Sequence, residues 1–257
     1  MKCTACRDGV TAPFEFTMAF QPIVSLSQRK VWAYEALVRG PDGQGAPWVL
    51  DQVTDENKYA FDQACRVKAI ELAAELFNTA DGPNLSINFL PNAVYVPAAC
   101  IRTTMEAADR TGFPVNRIML EFTEGERISD VAHIKSIITE YKARNLITAI
   151  DDFGAGFSGL GLLADFRPDV IKLDMGLIRG IHADDGRQAI VGGIVSTCKL
   201  IGVKVIAEGI ETIEEMLTLQ SMGVELLQGY LFARPALRSL PEINWPAEIQ
   251  APRALRA

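Results

Sequence analysis

Histidine is nearly absent from this 257-residue chain, which has only His133 and His182. So few imidazoles argue against a His-ligated catalytic metal and leave a Ser-His-Asp triad hard to assemble. Cysteine occurs five times, at Cys3, Cys6, Cys65, Cys100 and Cys198, an odd number that fits reduced thiols better than a disulfide framework. Cys3 and Cys6 form half of a zinc or redox spacing, but no matching second pair exists, so a reduced tail is the expectation. Basic runs are missing as well: 25 Lys and Arg stand against 32 Asp and Glu, a formal charge of −7. A protein that grips polymeric nucleic acid needs clustered cations to release counterions, so that partner is not expected. Charge-free stretches such as Asn84 to Ile101 are broken by Asn and Pro, short of the roughly 20 apolar residues a membrane helix needs. No apolar run of signal length follows the N-terminal MKCTACRDGV, and a cytoplasmic chain without a membrane span is expected.

What the chain does have is the make-up of an ordinary globular protein, 49% hydrophobic and 22% charged. A chain of about 250 residues can form one α/β barrel and bury roughly three quarters of its unfolded surface. Short β-branched or apolar runs alternate with longer amphipathic stretches, the pattern of βα units around a parallel sheet. Eight runs predict strands near Phe16–Ile23, Lys30–Val38, Asn84–Phe89, Arg117–Phe122, Ile147–Asp151, Val170–Leu173, Val203–Ala207 and Leu226–Leu231. Helices are predicted over Asp55–Asn78, Asp130–Arg144, Arg187–Ile201 and Thr212–Met222. Eight strands with interleaved helices suggest a closed (β/α)8 barrel. The first connection, Ser25 to Arg29, is far too short for a parallel crossover of a dozen or more residues, so the first two strands should form an antiparallel hairpin. With no repeat, low-complexity segment or internal linker, the expected organisation is a tail over 1–14, a barrel over 15–245 and a second tail over 246–257.

Functional residues of such a barrel gather at the C-terminal ends of its strands. Here the second to eighth strands end in Glu35, Asn88, Glu121, the pair Asp151 and Asp152, Lys172 with Asp174, Glu208, and Gln228. A single acid near a strand end ordinarily means a helix N-cap or a solvated loop charge. Polar groups ending seven strands reverse that default. So many carboxylates converging on one mouth would repel one another and lose hydration unless cations compensated them. Oxygen ligands without His or Cys select hard divalent ions, Mg2+ or Mn2+ with Ca2+ as a further candidate, over zinc. Two ions fit the count, and paired hard ions about 4 Å apart are the usual apparatus of phosphodiester hydrolysis. Gly154 and Gly156 read equally as turn residues, and Lys172 reads either as an ion-pair partner of the acids or as a catalytic lysine.

The ordered series FQPIVSL at Phe20–Leu26, EALVRG, LSINFLP, EFTE, DDFGAGFSGL, IKLD, AEGIET and QGYLFARP resembles the EAL family of cyclic di-GMP phosphodiesterases. The resemblance runs to Pro235 and implies a modified barrel with an antiparallel first strand, in agreement with the short hairpin. It implies hydrolysis of cyclic di-GMP to linear pGpG with two Mg2+ or Mn2+ ions, Ca2+ being inhibitory. Carried over by position, Glu35, Asn88, Glu121 and Asp151 would hold one ion, and Asp151, Asp152 and Glu208 the other. Lys172 would sit beside the attacking water and scissile phosphate, with Glu208 as proton acceptor. Arg39, Asp174, Gln228 and Gln21 would contact substrate, and Glu124 would anchor the loop Phe153–Ser158. A homodimer and a separate sensor or regulatory protein are further implications. Ala155 and Phe157 depart from the Thr and Tyr frequent in the family's loop, but neither is a ligand. Two other readings remain at this point: a receptor that binds the dinucleotide without cutting it, and another metal-dependent barrel enzyme that abstracts a proton from a carboxylate substrate.

Overall fold

The computed structural model describes residues 14–77, 81–94, 96–123, 131–156, 159–165 and 167–249. The eight expected strands form: β1 Thr17–Ser25, β2 Lys30–Arg39, β3 Asn84–Asn88, β4 Ile118–Thr123, β5 Ile147–Phe153, β6 Val170–Leu173, β7 Lys204–Ala207 and β8 Leu226–Gln228. β2 to β8 run parallel in sequence order, and β1 closes the ring by pairing antiparallel with both β2 and β8. The architecture is therefore a modified (β/α)8 barrel with an antiparallel first strand. Arg29 makes the hairpin possible by adopting a φ of +48° in the short turn.

A ninth strand, β9 at Ala236–Leu237, was not expected from the sequence. It continues along the edge of β1 that β8 leaves open, pairing with Ala19 and Phe20. β8 is correspondingly shorter than its apolar run. Beyond Gln228 the backbone leaves β1 and bonds to the loop after β7, Ile210 N donating to Gln228 O and Leu231 N to Ile210 O. The approach is so close that a Cβ on Gly229 would lie 2.0 Å from Ile210 O, so only glycine fits there.

The predicted helices appear as Lys58–Leu76, Val131–Ala143, Asp185–Ile201 and Ile213–Ser221. Asp184 caps the third through Arg187 N, and Thr212 with Glu215 forms a capping box on the fourth. The helix Arg102–Thr111 and several of four to seven residues were missed, among them Ala46–Leu50, Gly159–Asp165 and Met175–Ile178. Such pieces are too short for a helical period to show. Phe14 stacks on Phe61, and Ile249 is buried in the core.

Two apolar layers hold the barrel. The larger cluster fills the space between strands and helices. The smaller one, Ile23, Ala33, Met119, Ala149, Val170, Ile206 and Leu226, plugs the barrel's interior. Each of its members lies two residues from a polar residue that faces the mouth, since alternate residues of a strand share a face. The plug is thus the floor on which the site stands.

Candidate metal centre at the barrel mouth

The layer above the plug holds Gln21, Glu35, Asn88, Glu121, Asp151, Lys172, Glu208 and Gln228. Strand register brings them level: Gln21 pairs with Glu35 across β1 and β2, and Asn88 with Glu121 across β3 and β4. Lys172 is fully buried at the centre. Its Nζ lies 2.7 Å from Glu208 Oε1, 3.1 Å from Asp151 Oδ1, 3.2 Å from Glu121 Oε1 and 3.4 Å from Glu35 Oε2. One ammonium thus faces four carboxylates.

Adjacent residues of a regular strand point to opposite faces, so Asp151 and Asp152 could not both face the mouth in an undistorted β5. A bulge solves this. Between Ile150 and Phe153 on β5 the ladder gains a residue relative to Ile171 and Leu173 on β6, and Asp152 adopts a φ of +52°. Backbone in the left-handed region is strained for a residue other than glycine, and such strain gathers at functional sites.

The amides orient the acids. Asn88 Nδ2 donates to Glu35 Oε1 at 3.0 Å and to Glu121 Oε1 at 3.1 Å. Gln228 Nε2 donates to Glu35 Oε2 at 2.6 Å and to Gln21 Oε1 at 3.3 Å, while Gln21 Nε2 reaches Ala233 O. Ser86 donates to Glu121 Oε2 at 2.5 Å.

Burial works against the charge on Glu35, but Lys172 and the hydrogen bonds from Gln228 and Asn88 outweigh it and hold that carboxyl below its usual pKa. Glu121 and Glu208 go the other way. Burial, reinforced by neighbouring carboxylates, pushes both well above the usual range despite Lys172. Asp152 rises to about 6 through burial and the charges of Asp151 and Asp174. Lys172 loses hydration in this position, yet the carboxylates around it raise its pKa well above the ordinary lysine value. Acids with raised pKa values beside an ammonium that stays charged mark a cluster with too much negative charge.

Two groups of carboxylates each bring one oxygen per residue within 4.8 Å of the others: Glu35, Glu121 and Asp151, and then Asp151, Asp152 and Glu208. They share Asp151. Its buried Oδ1 accepts no hydrogen bond within the described structure, although Lys172 stands near it. An all-oxygen donor set, excess negative charge and a carboxylate oxygen without a donor together fit hard divalent cations.

Asp174 lines the mouth and also caps the helix Met175–Ile178, its Oδ1 accepting from Gly176 N at 2.8 Å. Arg39 is half-buried two turns of the pleat beyond Glu35 on β2, and its Nη1 donates to Val38 O rather than to the acids. Glu124 lies outside the described residues, as do Phe157 and Ser158 of the loop it was expected to anchor. The mouth opens into a cavity of about 240 Å3 whose wall includes Met175, Arg179, Glu211 and Tyr230, none expected from the sequence. Arg179 pairs with Glu211, Nη2 to Oε1 at 2.9 Å, across two loops whose approach no local pattern announces.

A family model described as the EAL domain matches residues 6–235. The structure is similar to the cyclic di-GMP-bound form of a standalone versatile EAL protein from Vibrio cholerae O395, at 52% identity and a TM-score of 0.87, covering 93% of this chain and 99% of that one. It is also similar to the manganese and cyclic di-GMP complex of Klebsiella pneumoniae BlrP1, at 36% identity and a TM-score of 0.85, over 91% of this chain and 59% of that one. By sequence the chain is 35% identical to the Escherichia coli K12 blue light- and temperature-regulated antirepressor BluF, over 89% of this chain and 56% of BluF. It is 27% identical to the Pseudomonas aeruginosa cyclic di-GMP phosphodiesterase NbdA, over 86% of this chain and 29% of that protein. The chain spans little more than half the length of these curated relatives, or less.

Proposed function

The chain belongs to the EAL domain family, and from that premise we propose that it hydrolyses one phosphodiester of cyclic di-GMP to linear pGpG with Mg2+ or Mn2+. The observation that carries the reading is the pair of carboxylate groups sharing Asp151 around a buried Lys172. Glu35, Glu121 and Asp151 would hold one ion, with the Asn88 amide oxygen joining them once the amide, which presents Nδ2 to the acids here, turns over; Asp151, Asp152 and Glu208 would hold the other. Such ions, when bound, polarise water and phosphoryl oxygens.

The chain's own groups do the rest. Lys172, held cationic by its neighbours, offsets negative charge developing on the phosphoryl oxygens. Glu208 is the least buried of the four acids around Lys172 and the nearest to it, which suits it to take the proton of the attacking water. Water adds to phosphorus, the bond from phosphorus to the 3′ oxygen breaks, and that oxygen leaves with a proton from solvent. Gln21 and Gln228 keep Glu35 turned inward, and both also line the cavity. Arg39 and Asp174, at the rim, are assigned to substrate contacts. On the same reading the catalytic unit covers 15–245, works in the cytoplasm as a homodimer, and answers to a separate sensor protein; no described helix is long and apolar enough to cross a membrane.

The deciding experiment follows cyclic di-GMP by chromatography with Mg2+, Mn2+, Ca2+ or chelator. Metal-dependent pGpG from the wild type, absent with chelator, suppressed by Ca2+ and lost in Glu35→Ala, is expected. A wild-type rate in Glu35→Ala would overturn the metal assignment. The similarity to a protein named an antirepressor favours one second reading, a receptor, for which tight binding without product is the signature.

A further inference from the structure

We infer that Ser86, which lies within the LSINFLP segment but has no role assigned to it by the sequence, is a positioning residue for metal binding through its hold on Glu121. The inference rests on the reading of the mouth as a metal centre.

Seven of the strand positions two residues from a mouth-facing polar group are apolar and form the interior plug: Ile23, Ala33, Met119, Ala149, Val170, Ile206 and Leu226. The eighth, two residues before Asn88 on β3, is Ser86, and it is fully buried. A hydroxyl in such a ring loses its hydration and needs a partner. Alanine fills the same layer at Ala33 and Ala149, so packing alone does not call for serine here.

The partner is one oxygen of one acid. Ser86 Oγ lies 2.5 Å from Glu121 Oε2, within the range of a hydroxyl donating to a carboxylate. The other oxygen, Oε1, receives Asn88 Nδ2 at 3.1 Å and faces Lys172 Nζ at 3.2 Å. Ser86 and Asn88, on one face of one strand, therefore grip the two oxygens of Glu121 separately. That division fixes the plane of the carboxylate and leaves Oε1 as the atom turned toward Asn88 and Lys172. Without the hydroxyl, Oε2 becomes a fully buried acceptor with no donor among the described residues, and Glu121 gains a reason to rotate away from the cluster. Groups that orient a ligand in this way change metal affinity or activity by roughly 10–100-fold when removed.

The test is a titration of Mn2+ into chelator-stripped protein without substrate, read by the electron paramagnetic resonance of free Mn2+. It compares wild type with Ser86→Ala and with Ser86→Thr, which keeps a hydroxyl. Expected are a loss of roughly 10–100-fold in Mn2+ affinity for Ser86→Ala and near wild-type affinity for Ser86→Thr. Melting in chelator should show Ser86→Ala folded and cooperative but less stable than wild type, because a buried carboxylate oxygen loses its donor. In turnover, the Mn2+ concentration for half-maximal rate should rise while the KM for cyclic di-GMP at saturating Mn2+ stays unchanged. Wild-type Mn2+ affinity in Ser86→Ala, or a Ser86→Thr as weak as the alanine variant, would overturn the inference. A wild type that binds Mn2+ but forms no pGpG would remove the hydrolase reading alone, because the binding series still decides the role of Ser86. A wild type that binds no Mn2+ would remove both.

Discussion

Among the described residues two cations are fully buried among acids, and their surroundings differ in a way that separates support from chemistry. Arg66, on the helix Lys58–Leu76, is fully buried with Asp62 four residues before it, Nη2 to Oδ2 at 2.7 Å. The second oxygen of Asp62 accepts Leu90 N at 2.9 Å. One charge meets one charge, and a backbone donor completes the acid. Lys172, equally buried, meets four carboxylates. The first group is closed in charge, although Arg66 Nη1 is buried without a hydrogen-bond partner among the described residues, and it ties a helix to the segment after β3. The second sets one ammonium against four carboxylates, an imbalance that fits the divalent cations of the proposed function.

The largest effect should come from breaking the closed pair. Arg66→Met leaves Asp62 buried and unpaired, and should lower stability by about 3–5 kcal/mol in urea denaturation. Converting both partners, as in Asp62→Leu with Arg66→Met, should recover most of that loss, because an apolar pair of similar volume leaves no charge behind. A double variant as unstable as the single one would mean that the pair does more than neutralise itself.

At the mouth, removing an acid should have the opposite sign. Asp152 has a folded pKa of about 6, raised by burial and like charges above the unfolded value near 4. A carboxyl raised on folding makes the native state the better proton binder. Stability should therefore increase as pH falls through about 6 toward 4, and decline as pH rises. In chelator, Asp152→Asn should be more stable than wild type at neutral pH, on the order of 1 kcal/mol after allowance for its partial exposure, and should show a shallower pH slope. Glu121 and Glu208 shift in the same direction, so part of the slope should persist. Saturating Mn2+ should reverse the ranking, because a bound cation favours the ionised acids that the variant lacks. A variant less stable than wild type in chelator would show that the mouth, like the Arg66 pair, is built for support.

The two regions were unequally legible in the sequence. The mouth could be read because a parallel barrel sends the ends of all its strands to one place, so acids far apart in the chain can be assigned to one site without knowing any contact. The pair Asp62 and Arg66 has the spacing of an ordinary surface ion pair on a helix, and only tertiary packing buries it. Ser86 was hidden for a related reason: a serine in an alternating strand carries no sign of what lies opposite. The bulge at Asp152 was implied by two adjacent acids at one strand end, but its φ and register emerge only from the ladder with β6. Strand β9 and the contact of Arg179 with Glu211 depend on where loops return, which no local period records.

Arg179 supplies the smallest expected effect and the control for the comparison. It is the same residue type as Arg66 and also pairs with one acid, but both partners remain about two-fifths exposed at the rim of the mouth. Water already solvates each charge there, so separating them leaves no group stranded. Arg179→Gln should leave the denaturation midpoint unchanged within error, measured beside Arg66→Met under the same conditions. If the two variants lost similar stability, charge pairing rather than burial would be the source of the effect at Arg66, and the contrast between a closed pair and an outnumbered lysine would lose its physical basis.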